Sequence, residues 1–245
     1  MVSNVIKSEV EKCPHCGRPI QYGHVEMLGT VSNMRLECEC ISEKKAAEQE
    51  KNIKEGGECL RLRMRREVGL SKRAIDQRFR NFIPKEGQNE ALEKAKAFAK
   101  GYINQENGGN GLLLIGGVGS GKTHLAAAIV NAIIDHFHIS DDRAEEAGRY
   151  GDSGLAVSDF HRADIEFIGA VSLMERLRSS YDSNENTYDI IEQYQKTALL
   201  VLDDIGAEKP SDWTRERLFD IIDYRYNEYL PVVITTNSED RKSVV

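Results

Sequence analysis

An apolar run, a glycine-rich turn and a second apolar run follow one another directly at residues 112–134, as LLLI, GGVGSGKT and HLAAAIVNAII. This succession allows few folds. The middle piece fits G-x-x-x-x-G-K-[ST] and stands where that pattern has a mechanism, between a short buried-type strand and a helix. Glycine backbones at such a turn let N–H groups converge on phosphate oxygens at a helix N-terminus, where unpaired donors and the helix dipole favour negative charge. Gly116, Gly117, Val118, Gly119, Ser120, Gly121, Lys122 and Thr123 are therefore the candidate ATP-binding residues. Lys122 would reach the β and γ phosphates and Thr123 would hold Mg²⁺ through its hydroxyl. A turn that binds nothing has no need for Lys-Thr at those two positions.

A phosphate cradle hydrolyses nothing by itself. The stretch ALLVLDD supplies an acidic pair at the end of another apolar run, with Asp203 placed to orient Mg²⁺ and Asp204 to polarise an attacking water. Two aspartates in a surface turn are the alternative reading of the pair taken alone. Further strands are expected at DIEFIGA and PVVITTN, the second ending in Asn237, which could hydrogen-bond the water or the γ-phosphate. A turn-favouring asparagine is the bland reading of that residue. Helices are expected at QNEALEKAKAFAKGYI, after the glycine-rich loop, at MERLRSSY behind a capping box that begins at Ser172, and at WTRERLFDIIDYRYNEY. Short apolar strands alternating with helices predict an α/β fold with a parallel sheet covered on both faces.

The chain of 245 residues has room for this core and a small appendage. The appendage is expected at residues 13–40, where four of the five cysteines stand among β-prone pieces suited to small hairpins. Cys13-x-x-Cys16 and Cys38-x-Cys40, with 21 residues between the pairs, offer four thiolates to a tetrahedral Zn²⁺, with His15 and His24 as alternative ligands. The one-residue spacer of the second pair is shorter than usual, and unrelated free thiols are the alternative. Cys59 stands apart as a small core residue. Such a site would be structural, its ligand positions filled and no catalytic carboxylate beside it.

The opening residues have no apolar core of a signal peptide, and no run approaches the roughly 20 apolar residues of a membrane span. A cytoplasmic protein without membrane contact is expected. A net charge of -7 excludes a uniformly basic surface, so nucleic-acid contact would need a local patch. Residues 59–80 are the candidate, with Arg61, Arg63, Arg65, Arg66, Lys72, Arg73, Arg78 and Arg80 against Glu58, Glu67 and Asp76. They could follow a phosphate backbone or serve as solvated helix charge. The polar interval 139–164 is expected to be a surface insertion, and Gly56-Gly57 to interrupt the helix-prone stretch 42–77. His124, His136 and His138 have no partner cluster and receive no role.

LLLIGGVGSGKTHLA, LLVLDDIGAE, W-x-x-E-x-L-x-x-I-I-D-Y-R-Y and LPVVITTN together resemble the AAA+ module of DnaC/DnaI-type replicative helicase loaders and the related IstB-type ATPases, over residues 79–238. The resemblance implies a P-loop (AAA+) sheet flanked by helices, with Lys122, Asp204 and Asn237 as catalytic residues and Asp203 as metal ligand. It implies ATP, Mg²⁺ and, through CPHCG and ECEC, a zinc-ribbon-like handle that grips a helicase. The domains expected are a zinc module at 1–41, a basic helical linker at 42–87 and an ATPase core at 88–245. Partners implied are a replicative helicase, single-stranded DNA and further copies of the chain. Phe79 and Phe82 are candidates for the border of the adenine, or for core packing. The last residues, eight beyond Asn237, stop short of the arginine finger and further strand of the family, and Arg241 lies too near Asn237 to match. Weak binding, very slow hydrolysis and an exposed LLLIGG edge are expected on that ground. A transposition helper, a P-loop nucleoside or nucleotide kinase, and an adaptor with nucleotide as structural ligand are the competing readings.

Overall fold

A computed structural model describes residues 11–27, 30–106, 109–150, 164–182, 186–207 and 211–237; within 23–34 only the backbone is described. Arg241, the side chain of His24, and residues 151–163 of the expected insertion fall outside the described residues. The chain divides into two compact units, residues 1–57 with 140–151, and residues 58–139 with 152–245. The stretch expected as a linker at 42–87 is thus shared between the two.

In the first unit, β1 (Tyr22–Met27) and β2 (Thr30–Arg35) pair antiparallel as a hairpin. The long helix α1 (Glu39–Glu67) begins on the second cysteine pair and runs through Gly56-Gly57 without a break. The expected interruption is corrected here, and the reason is packing. A Cβ on Gly56 would lie 1.7 Å from the Ala144 carbonyl oxygen, and one on Gly148 would lie 2.1 Å from the Asn52 oxygen. Residues 141–150, expected as irregular insertion, form helix α5 (Asp141–Tyr150), and its backbone touches that of α1 at these glycines. Close approach offsets the roughly 1 kcal/mol that glycine costs a helix interior.

In the second unit, four parallel strands run in the order β3-β6-β5-β4: β3 (Leu112–Ile115), β6 (Val232–Thr236), β5 (Leu199–Ile205) and β4 (Ile165–Gly169). Period-two alternation splits the apolar residues between two layers. Leu199, Val201 and Val233 join the core under α3 (Asn89–Ile103) and α4 (Lys122–His136). Leu200, Leu202 and Ile234 join the core under α6 (Ala170–Ser179), α7 (Thr187–Lys196) and α8 (Asp212–Asn227). Burying each such leucine stabilises by about 1.5–3 kcal/mol, and a strand covered on both faces must read as an unbroken apolar run, as LLVL does. Helix α4 is buried nearly all round, from Leu125 to Ile134. Strand β3 is an edge among the described residues, with Leu113 45% and Ile115 38% exposed.

Two local expectations are revised. Helix α6 leaves β4 directly, with Gly169 at its N-cap, so Ser172 lies inside the first turn rather than capping it. Half of the eight basic residues of 59–80 are spent on internal contacts. Arg65, 3% exposed, donates to Asn131 Oδ1 at 3.0 Å and pairs with Asp135, which also holds Arg78. Asn131 Nδ2 in turn donates to the Ala74 and Gln77 carbonyls at 2.9 and 2.8 Å. This network locks the end of α1 and the short helix α2 (Lys72–Ile75) onto α4. Arg61 and Arg63 pair along their own helix with Glu58 and Glu67, leaving Arg66, Lys72, Arg73 and Arg80 exposed. No helix among the described residues is long and apolar enough to cross a membrane.

Candidate nucleotide site and cysteine cluster

The loop between β3 and α4 takes the shape its glycines permit. Gly119 and Gly121 have φ of 77° and 83°, a region that side chains with a Cβ avoid. At Gly121 a Cβ would also stand 2.6 Å from Phe82 Cε2. At Gly117 and Gly119 a Cβ would meet nothing within 4 Å, so the loop faces open space, the condition for backbone N–H groups to approach a ligand. It opens on a cleft of about 980 Å³ whose lining includes Lys122, Thr123, Asp203, Asp204 and Asn237.

These five side chains form two sets of contacts, Lys122–Asn237–Asp204 and Thr123–Asp203. Lys122 donates to the Gly116 and Gly117 carbonyls at 2.8 and 2.9 Å and to Asn237 Oδ1 at 2.7 Å. Asn237 Nδ2 donates to Asp204 Oδ1 at 2.5 Å. Thr123 Oγ1 donates to Asp203 Oδ1 at 3.0 Å. Strand order explains the convergence, because β6 lies between β3 and β5 and carries Asn237 to a point between the loop and the acidic pair. All the candidate residues from 116 to 123, with Asp203, Asp204 and Asn237, therefore meet at the C-terminal edge of the sheet. Burial pushes the Asp203 carboxyl above the ordinary range, and hydrogen bonds from Thr235 and Thr123 oppose it. Oxygens of Thr123 and Asp203 at 3.0 Å have the spacing of neighbouring ligands on a small octahedral cation, for which metal–oxygen distances of about 2.0–2.1 Å imply roughly 2.9 Å. The donor set suits Mg²⁺.

Sequence reasoning missed three parts of the site. Thr235, fully buried on β6, bridges the two aspartates through its hydroxyl. His124, given no role, has its Nε2 3.0 Å from the Arg78 carbonyl and 3.1 Å from Asn81 Oδ1, and its ring stands edge-on to Phe82. Gln88 Nε2 donates to the Ser120 carbonyl at 3.1 Å. Residues 78–88 are thereby fixed against the loop, and Phe79 and Phe82 are both partly buried against the core. The polar run Thr-Thr in an otherwise apolar strand was the only sequence signal for Thr235.

In the first unit, the Sγ atoms of Cys13, Cys16, Cys38 and Cys40 all lie within 4.8 Å of one another, with Cys13–Cys40 at 3.6 Å and Cys16–Cys38 at 3.5 Å. Zinc–sulfur distances of about 2.3 Å in a tetrahedron imply roughly 3.8 Å between sulfurs, so the donor set fits Zn²⁺. His15 is not in the cluster. Gly17, with φ 71°, turns the chain so that its N–H donates to the Cys13 carbonyl at 2.9 Å. Backbone N–H groups of His15 and then Cys16 hold the Cys13 thiol down to about 6, while the hydrogen bond with Cys16 and then burial push the Cys40 thiol up, so one thiol of the set is favoured as thiolate before metal arrives.

Residues 154–241 match the family described as IstB-like ATP binding protein. The DnaC helicase loader, as a solved structure, is similar to the chain at 30% identity with a TM-score of 0.51, over 71% of this chain and 83% of that one. The replicative helicase loader DnaI of Bacillus subtilis is 28% identical over 57% of this chain and 37% of its own length. The chromosomal replication initiator DnaA of Neisseria gonorrhoeae is 29% identical over 65% of this chain and 26% of its own. The chain thus spans about a quarter to two fifths of these two curated relatives. With the glycine loop, the acidic pair and the central strand order all in place, the chain belongs to the DnaC-type family of AAA+ proteins.

Proposed function

We propose that the protein is an ATP-dependent loader of a replicative helicase onto single-stranded DNA. The reading is carried by the linked contacts from Lys122 through Asn237 to Asp204, beside the Thr123–Asp203 pair. A turn that merely bound phosphate would not need a sensor amide between its lysine and a carboxylate. Coverage of 83% of the DnaC helicase loader supports the rest.

In this reading backbone N–H groups of residues 116–123 cradle the phosphates, and Lys122 leaves the Gly116 and Gly117 carbonyls for the β and γ oxygens. Mg²⁺ held by Thr123 and Asp203 would supply charge neutralisation at those oxygens. Asp204 accepts a proton from the attacking water, and Asn237 orients it. Loss of the γ-phosphate frees Lys122 and Asn237 to re-form the contact seen here, which makes the amide the element that distinguishes the two nucleotide states. Hydrolysis is the reaction, and neighbouring copies of the chain are expected partners in it.

The four cysteines, which would hold Zn²⁺, belong in the same reading to a handle of residues 1–41 that docks the helicase, with 42–87 as linker and 88–245 as ATPase. Exposed Arg66, Lys72, Arg73 and Arg80 are the remaining basic residues of 59–80 able to meet a DNA backbone. Action in the cytoplasm follows from such a role. The test is transfer of the ring-shaped replicative helicase of the same organism onto circular single-stranded DNA, followed by sedimentation. Helicase retained on the circle only with the chain and ATP is expected. Retention that is equal without the chain, or without nucleotide, contradicts the loader reading.

A further inference from the structure

Pairing between β5 and β6 slips by one residue next to the nucleotide site. Leu202 faces Ile234 and Ile205 faces Thr236, so Asp203 and Asp204 together stand opposite the single residue Thr235. This is a two-against-one bulge in a parallel pair, a device that re-aims side chains. Consecutive residues of a regular strand point to opposite faces, which would turn one carboxylate away from the cleft. Here Asp204 takes φ 59°, and both carboxylates face it.

The displaced backbone needs a new partner, and one hydroxyl provides it. Asp204 N–H donates to Thr235 Oγ1 at 2.8 Å, and that hydroxyl donates its own proton to Asp203 Oδ1 at 2.7 Å. Packing does not require the hydroxyl, because the same strand carries Val232, Val233 and Ile234. Thr236 also has a buried hydroxyl, but it donates to the Ile205 carbonyl at 2.7 Å, where the register resumes, and touches neither carboxylate.

We propose that Thr235 is a positioning residue: by holding the bulge through its single hydroxyl, it sets Asp203 and Asp204 for metal and water together. The proposal rests on the ATP-site reading above. It gives the second threonine of the pair a structural part only.

Four variants in the full chain test this: Thr235→Val, Thr235→Ser, Thr236→Val and, should the valine variant not fold, Thr235→Ala. The readouts are affinity for a fluorescent ATP analogue with Mg²⁺ and with EDTA, exchange of the Asp204 amide by NMR, and thermal melting. Thr235→Val is expected to keep its EDTA affinity within about twofold. Its Mg²⁺-dependent gain should fall about ten- to a hundredfold, the factor carried by one hydrogen bond to a charged group, while the Asp204 amide loses protection. Thr235→Ser should restore both. Thr236→Val should melt earlier with its Mg²⁺ dependence intact. If Thr235→Val, or Thr235→Ala in its place, keeps both the Mg²⁺ gain and the protected amide, or Thr236→Val loses the gain equally, positioning by Thr235 is overturned. A wild-type chain that binds no analogue under either condition overturns the ATP-site reading itself and the proposal with it.

Discussion

Arg225 offers the sharpest test of how the sheet is held. Its guanidinium is completely buried, 0% exposed. Nη1 donates to the Tyr194, Gln195 and Thr197 carbonyls at 3.1, 3.1 and 2.6 Å, and Nη2 to those of Ala198 and Pro231 at 3.5 and 2.5 Å. One side chain on α8 thus ties the end of α7, the entry to β5 and the entry to β6. Burial pushes the group down to about 10, still charged at neutral pH, so a full positive charge sits among carbonyl dipoles. Replacing it by methionine keeps most of the stem and removes every donor. Each carbonyl left dry costs about 1–3 kcal/mol. Against this stands relief of the guanidinium's desolvation and of Nε, which has no partner. At 3.5 Å the Ala198 contact is marginal, and local water can satisfy some of the others. A net loss of about 3–5 kcal/mol follows, the range measured for breaking buried charged networks. For a domain of this size each kcal/mol moves the melting point by about 2–4 °C, so Arg225→Met should melt roughly 6–20 °C earlier. Lysine keeps the charge but cannot reach five carbonyls from one ammonium, and should recover less than half. Calorimetry or circular dichroism reads the difference. A shift below about 3 °C for Arg225→Met would show that the carbonyls find other partners and that the tie is dispensable.

Two further outcomes follow from the geometry. Gly121→Ala must place a Cβ at φ 83° and 2.6 Å from Phe82, so it should cost roughly 1–3 kcal/mol and weaken nucleotide binding, measured by melting and titration. Cys16→Ser should abolish binding of one Zn²⁺ per chain, followed by metal analysis, and raise amide exchange across residues 13–40 while ATP binding survives, since a structural zinc's binding energy is folding energy for its own module.

The grouping of the candidate nucleotide site was legible because its signals are local: glycines demanded by positive φ, a lysine and threonine at fixed offsets, and carboxylates closing an apolar strand. The sheet followed from LLLI, LLVL and VVIT; unbroken apolar character suits strands covered on both faces, as LLVL is, although Leu113 and Ile115 of the edge strand stay partly exposed. The cysteine cluster was legible from spacing alone. What stayed hidden depends on partners distant in sequence. Gly56 and Gly57 carry the signature of a helix break, and only the approach of α5, about ninety residues on, converts it into a contact. Arg65 looks the same in sequence as exposed Arg66, yet Asn131 and Asp135 take it inside. Thr235 gains its part from a register slip that no single-strand pattern encodes. Arg225 stood in a motif already noticed, but five carbonyls from three separate segments give it its reason.

The central claim is that residues 116–123, with Asp203 and Asp204, form a working ATP site, and titration of the wild-type chain and Lys122→Ala with ATP and Mg²⁺ in a calorimeter tests it most directly. Lys122 is exchanged between the loop carbonyls and Asn237 on one side and phosphate on the other. The wild type should bind one ATP, more tightly with Mg²⁺ than with EDTA. Lys122→Ala should keep the melting point within a few degrees and lose at least tenfold in affinity, together with any hydrolysis. Equal affinity in the two chains, or no saturable binding by the wild type, would contradict the account.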